Sequence, residues 1–291
     1  MTVALVDQSP SDYVQHLTVS GLETPVGPAR LNRYVSGVEP GRAAACFLAL
    51  QNLVEHPTAA TGHPAEQALL RLSGELESAV SGGWRRLFTG QAAESHLRAM
   101  WELLIVHREF FATFGEGRPF APYFSGSGHP IETMVDDGLF GYDCLGFVGS
   151  YLHWVGLWPR VPTCEVPRYS HFLRLVPVEQ LTDLRPLTVL YWSGTATQHI
   201  AIIDRVHDAD RNHALVDLCQ SSSGGPQLNE RVRIGRNGDH RATIGATEYK
   251  KFAIRESGTP ACPVMGFVVA AQRASWRLSG HESVAEATPD P

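Results

Sequence analysis

Gly141-Tyr142-Asp143-Cys144-Leu145-Gly146-Phe147-Val148-Gly149-Ser150-Tyr151 sets a cysteine at the first turn of an apolar helix. Asp143 is a good N-cap residue, because a short carboxylate accepts from a first-turn N–H. Val148, Tyr151, Leu152 and Val155 then follow Cys144 at helical spacing. The thiol is therefore expected beside backbone N–H groups without intrahelical partners, at the positive end of the helix dipole. Such surroundings lower a thiol's pKa and favour thiolate. A nucleophile of this kind also needs a base. The best placed is His199, which heads the apolar run Gln198-His199-Ile200-Ala201-Ile202-Ile203-Asp204.

Downstream of this helix the signals are those of strands: 188–192, 200–206, 214–218, 231–234 and 264–271, with neighbours able to pair antiparallel. The turn His207-Asp208-Ala209-Asp210-Arg211-Asn212 joins two of them. Pairing about its midpoint puts Gln220 opposite His199, as the group that orients the imidazole. A bulge or a one-residue slip promotes Asp217 or Cys219 instead. Four further polar residues are candidates for substrate contact, Asp217 among them. Tyr142 and Asp143 immediately precede the nucleophile, and His129 lies fifteen residues before it in a Gly-rich loop.

Upstream, the pattern is helical. Ala43, Cys46, Phe47, Leu50 and Val54 form one stripe. Leu69, Leu72, Leu76 and Val80 follow from Pro64, and Leu97, Met100, Trp101, Leu104 and Phe111 mark a helix over about 92–114. Residues 1–40 are broken by Pro10, Pro25, Pro28 and Pro40 and carry no assigned function. Residues 115–138 shift to Gly, Pro, Ser and aromatics and read as a loop or boundary. The prolines at 159, 162, 167 and 177 argue against long regular structure there. The expected organisation is a helical subdomain over 1–120, a catalytic domain over 121–275 and a disordered tail over 276–291.

Composition bounds the function. The formal charge of −6 gives no electrostatic reason to expect nucleic acid or an anionic membrane as partner. No segment has signal-peptide or membrane-span character, which points to the cytoplasm. The five cysteines, Cys46, Cys144, Cys164, Cys219 and Cys262, lack a short C-x-x-C pair, so neither a disulfide framework nor a zinc site is indicated, and no metal or cofactor is expected.

Asp143-Cys144-Leu145-Gly146-Phe147-Val148 resembles the D-C-S-G-F-V signature of bacterial cell-wall cysteine peptidases of the NlpC type. Leu184-Arg185-Pro186 ahead of a strand, and then Gln198-His199-Ile200-Ala201-Ile202, are similar to that family's L-R-P-G-D and H-V-G-I segments, in the same order. The resemblance spans about residues 130–235. It implies a papain-like α+β fold, a nucleophile helix packed on an antiparallel sheet, with Cys144 as nucleophile and His199 as base. Leu145 replaces the family's Ser, and Leu187-Thr188 its Gly-Asp. Val216 to Ser223 stand where the family often carries a third, histidine residue.

These readings converge on a thiol-dependent acyl-transfer enzyme working through an acyl-enzyme, with Gln220 orienting His199. If water accepts the acyl group, the chain is a peptidase or amidase on small peptides. If an amine, hydroxyl or carbanion accepts it, the chain is a transferase or cyclase acting on thioester-bound chains, with its helical part serving as a lid or docking a carrier protein. The alternative, motivated by Leu145 and Leu187-Thr188, is a catalytically inactive papain-like ligand-binding module.

Overall fold

A computed structural model describes residues 8–57, 62–79, 83–156, 175–177, 181–193, 198–236, 242–244, 247–249 and 264–267. The expected tail over 276–291, and most of the Pro-rich stretch after 156, lie outside them.

The chain is α+β. Among the described residues eight α-helices come first: α1 (Pro10–Gln15), α2 (Arg42–Glu55), α3 (Pro64–Ala79), α4 (Glu94–Val106), α5 (Arg108–Thr113), α6 (Ala121–Ser125), α7 (Pro130–Asp136) and α8 (Cys144–Trp154). The strands follow as β1 (Leu175–Pro177), β2 (Val189–Ser193), β3 (Gln198–Ala209), β4 (His213–Ser222), β5 (Gly225–Arg236), β6 (Ala242–Ile244), β7 (Thr247–Tyr249) and β8 (Val264–Phe267). They form one antiparallel sheet in the order β1-β8-β2-β3-β4-β5-β6-β7.

Local chemistry explains several boundaries. Ser9 and Asp12 make a reciprocal capping box that starts α1 inside the region read only as turns. The helix expected over 92–114 is broken at His107 (φ −108°, ψ 28°) into α4 and α5, because the chain turns there to pack Phe111 against Phe120. The supposed loop over 115–138 contains α6 and α7, whose Pro122 and Pro130 sit in the first helical turn, where a missing N–H costs nothing.

One hydrophobic core runs from Tyr13 and Leu17 through α2, α3, α4, Phe120 and Phe140 to Phe147, Tyr151, Ile200, Ile202 and Cys219. It is continuous across residue 120. A second cluster covers the opposite sheet face, where Leu181 and Leu184 lie against Leu190, Ala201, Ile203, Val216 and Leu218.

Helix α8 lies between the helical layer and the sheet, and its residues 146–152 are buried. Gly146 makes this burial feasible. A Cβ there would overlap the Gly90 carbonyl oxygen, so only glycine lets the 90–91 loop pass this close. Deep in the same interface, the Tyr13 hydroxyl donates to Ser150 Oγ at 2.8 Å, and the Tyr142 hydroxyl lies 2.9 Å from that oxygen. Ser150→Ala removes this shared partner, and a loss of about 1–3 kcal/mol in urea unfolding is expected.

Candidate active site

The site begins with the cap of α8. The Asp143 carboxylate accepts from Gly146 N–H at 2.6 Å and from Gln91 Nε2 at 2.6 Å, while Gln91 Oε1 accepts from Arg86 Nη1 at 2.6 Å. The Asp143 N–H donates to Gly90 oxygen at 2.9 Å. These bonds tie the helix tip to the 90–91 loop, so Cys144 is held by two elements. Burial pushes the Asp143 carboxyl up to about 6, against the bonds from Gly146 and Gln91 that favour its charged form.

Cys144 is 8% exposed. Its sulfur lies close enough to the Ile200 N–H to be stabilised as thiolate by it, and so sits beside the strand residue that follows His199. The Leu145 and Cys144 N–H groups act the same way. Burial outweighs them, however, and with the adjacent Asp143 carboxylate it pushes the thiol up to about 11. This corrects the expectation of a resting thiolate: the helix tip supplies the donors, but the site is too dry for them to win.

His199 is half-buried on β3, and its Nε2 lies 2.6 Å from Gln220 Oε1 on β4. An amide oxygen only accepts, so the ring proton sits on Nε2 and the lone pair on Nδ1. Burial lowers the His199 pKa, and the Gln220 bond works partly against that shift. The resting pair is therefore neutral thiol and neutral imidazole.

Strand register differs from the simple hairpin. The strands run on to a turn over 210–212, where the Asp210 carboxylate accepts from the N–H groups of Asn212 and His213 at 2.6 and 2.7 Å. Two irregularities, between Ile203 and Arg205 and between Val206 and Asp208, shift the pairing so that Ile202 faces Cys219. Two bulges move the register by an even number of residues. His199 and Gln220 thus keep one face but sit diagonally, within reach of a long side chain.

Four residues read as substrate contacts have other partners. Tyr142 is fully buried against Ser150. Asp143 spends its carboxylate on the cap. His129 caps α7, with Nδ1 3.4 Å from Glu132 N and Nε2 3.2 Å from Gly27 oxygen. Asp217 pairs with His207 Nε2 at 2.8 Å and accepts from Arg231 N–H at 2.8 Å. Cys219, the other alternative third residue, is wholly buried. In each case local packing or pairing claimed a polar group that sequence proximity had made available to a cleft.

A residue that pattern reasoning passed over is Tyr34. It is half-buried, and its phenol lies near enough to Cys144 and Asp143 for both to disfavour its ionisation. Its position depends on contacts more than 100 residues away, so no local signal marks it.

Among the described residues no cluster of three or more His, Cys, Asp or Glu side chains is placed to hold a metal ion, and no helix is long and apolar enough to cross a membrane. An open cavity of about 630 Å3 lies along β5, lined by residues 228–233. Among the described residues its lining comes from β5 alone. No protein-family model, curated protein or solved structure matches the chain.

Reactivity of the thiol checks this electrostatic description. Alkylation of Cys144 by iodoacetamide, followed by peptide mass spectrometry, is expected to rise about tenfold per pH unit through pH 10, because only thiolate reacts. Asp143→Asn removes a negative neighbour while keeping a capping side chain, so its profile is expected to shift to lower pH. A plateau near the ordinary thiol value of about 8.5 contradicts the description.

Proposed function

We propose that the chain is a thiol-dependent acyl-transfer enzyme, with Cys144 as nucleophile, His199 as general base and Gln220 as the residue that orients the base. The observation that carries this reading is the 2.6 Å bond from His199 Nε2 to Gln220 Oε1, on the strand whose next residue, Ile200, sets its N–H against the buried Cys144 thiol. It orients the ring and leaves the basic electron pair on the other nitrogen, which a proton-accepting imidazole requires.

Because thiol and imidazole are both neutral at rest, the proton moves as the sulfur attacks. Sγ bonds to the substrate carbonyl carbon, the thiol proton passes to His199 Nδ1, and the carbonyl electron pair moves onto oxygen. Collapse of this intermediate expels an amine, alcohol or thiol, which takes the proton from His199. The result is a Cys144 thioester. Water or another nucleophile then accepts the acyl group, giving hydrolysis or transfer and cyclisation. Small peptides and acyl thioesters are the substrate classes that fit, with a carrier protein as a further partner and the cytoplasm as the compartment.

The resemblance to NlpC-type cysteine peptidases supports a papain-like arrangement of α8 on the sheet. Leu187 occupies the position of that motif's glycine, and its φ is 68°, in the left-handed region that glycine favours. Its N–H donates to Ile203 oxygen at 2.8 Å, and Thr188 Oγ1 accepts from Arg185 N–H at 3.1 Å. A left-handed turn residue thus stands at the position of the motif's glycine.

One observation favours a second reading, an inactive ligand-binding module: the thiol is held at about 11. Mass spectrometry after incubation with acyl thioesters and short peptides separates the two. An acyl adduct on Cys144, absent in Cys144→Ala, is expected. Peptide binding measured by calorimetry without any adduct or product favours the module.

Once a substrate is found, His199→Ala is expected to lower kcat/KM by about 10²- to 10⁴-fold, with a smaller loss for Gln220→Ala. His199 must be unprotonated to accept the thiol proton, and burial lowers its pKa. The acid limb of kcat/KM is therefore expected below pH 6.5, about the ordinary histidine value.

A further inference from the structure

Gly83-Trp84-Arg85-Arg86-Leu87-Phe88 forms a 3-10 helix whose Trp84, Leu87 and Phe88 are buried, so the core fixes its place. Its two arginines then point to different partners. Arg85 is exposed and pairs with Glu55 at the surface, where an ion pair contributes little. Arg86 is half-buried and donates to Gln91 Oε1 at 2.6 Å, across a turn closed by the N–H groups of Thr89 and Gln91 on the Arg86 oxygen at 3.3 and 3.1 Å. With its oxygen on a guanidinium, the Gln91 amide turns its donor end the other way, and Nε2 meets the Asp143 carboxylate at 2.6 Å. One oriented amide thus links a cation to the carboxylate beside the nucleophile. Gly90 keeps the link short. Its φ is 73°, and a Cβ there would overlap Val35 oxygen and the Asp143 nitrogen.

This link has a chemical consequence, because a thiol next to a carboxylate ionises less readily when that carboxylate is charged. We propose that Arg86 is a positioning residue for Cys144: acting through Gln91, it holds the Asp143 carboxylate in place and ionised, and the charged carboxylate keeps the thiol protonated at rest. The helical part of the chain then sets the resting state of the nucleophile. What this means for turnover rests on the acyl-transfer reading, whereas the reactivity of the thiol does not.

Arg86 from the 83–91 segment, Tyr34 from the 33–35 segment and Cys144 from α8 face the Asp143 carboxylate. Burial raises both the phenol and the thiol, so neither is charged at neutral pH and Arg86 supplies the cation. Burial also pushes the Asp143 carboxyl up to about 6, while the Gly146 N–H, the Gln91 amide and the Arg86 charge restrain it from rising further. Loss of Arg86 raises it again. At pH 7 more molecules then carry a neutral carboxyl, and their thiol ionises more readily. At pH 9 the carboxyl is ionised with or without Arg86, so the difference vanishes.

Alkylation of Cys144 by iodoacetamide in the full chain, followed by peptide mass spectrometry, tests this. Arg86→Met is expected to react about threefold faster than the unmodified chain at pH 7 and at the same rate at pH 9. Arg86→Lys, which keeps the charge, is expected to stay near the unmodified rate at both. In an Asp143→Asn background, with no carboxylate left to hold, Arg86→Met is expected to change neither rate. Equal rates at pH 7 overturn the proposal. So does a gain that persists at pH 9 or survives in Asp143→Asn, since a loosened helix tip exposes the thiol at every pH. If Arg86→Met loses its native circular dichroism, Gln91→Met cuts the same link and carries the same expectation. Unfolding of both variants assigns the link to the fold alone and overturns the proposal as well. Each of these results leaves the acyl-transfer reading standing, because that reading is tested separately by formation of acyl-Cys144.

Discussion

A buried carboxylate holds the site together. Asp143 closes the first turn of α8 through Gly146, anchors the 90–91 loop through Gln91, and reaches Arg86 through that same amide. Burying a carboxylate is costly unless its oxygens are bonded. Here each oxygen has a strong donor and the helix dipole adds to them. Once Asp143 is seated, the place of Cys144, one residue on, is determined. The peptide before Asp143 is likewise gripped, by Arg33, Val35 and Ser221.

The same carboxylate restrains the thiol. Helix-tip donors favour thiolate by typically about 0.3–1 kcal/mol. Moving a thiol from 9.0 to about 11 amounts to about 3 kcal/mol in favour of the protonated form. Burial and the Asp143 charge therefore outweigh the dipole, and the site rests uncharged. A neutral pair is stable in a dry interior. On the acyl-transfer reading proposed above, the base and its orienting amide then matter more than any preformed ion pair.

Legibility in the sequence followed the range of the interactions involved. The cap at Asp143, the apolar helix after it and the strands on either side of the 210–212 turn are local patterns, and all are present. The shared face of His199 and Gln220 survived because two bulges preserve the alternation of the strand, although their direct opposition did not. The break at His107, the short helices at Ala121–Ser125 and Pro130–Asp136, and the partners of His129, Tyr142 and Asp217 depend on what packs across from them. A polar residue near a nucleophile in sequence is as readily consumed by a cap or a core hydroxyl network as presented to a cleft.

The sequence by itself determined that a cysteine heads a capped helix, that a histidine opens a strand, and that a hairpin can bring a glutamine to the histidine's side. Periodicity of 3.6 and of 2, and the chemistry of a short carboxylate, suffice for that. Only the tertiary structure decided that the thiol rests protonated and that the backbone around Tyr34 is bonded to Tyr142, two residues before it. Dryness at Cys144 is the sum of layers from α1 to β4, and the place of Tyr34 is set by backbone bonds to a peptide more than 100 residues away. Neither quantity is carried by any window of neighbouring residues.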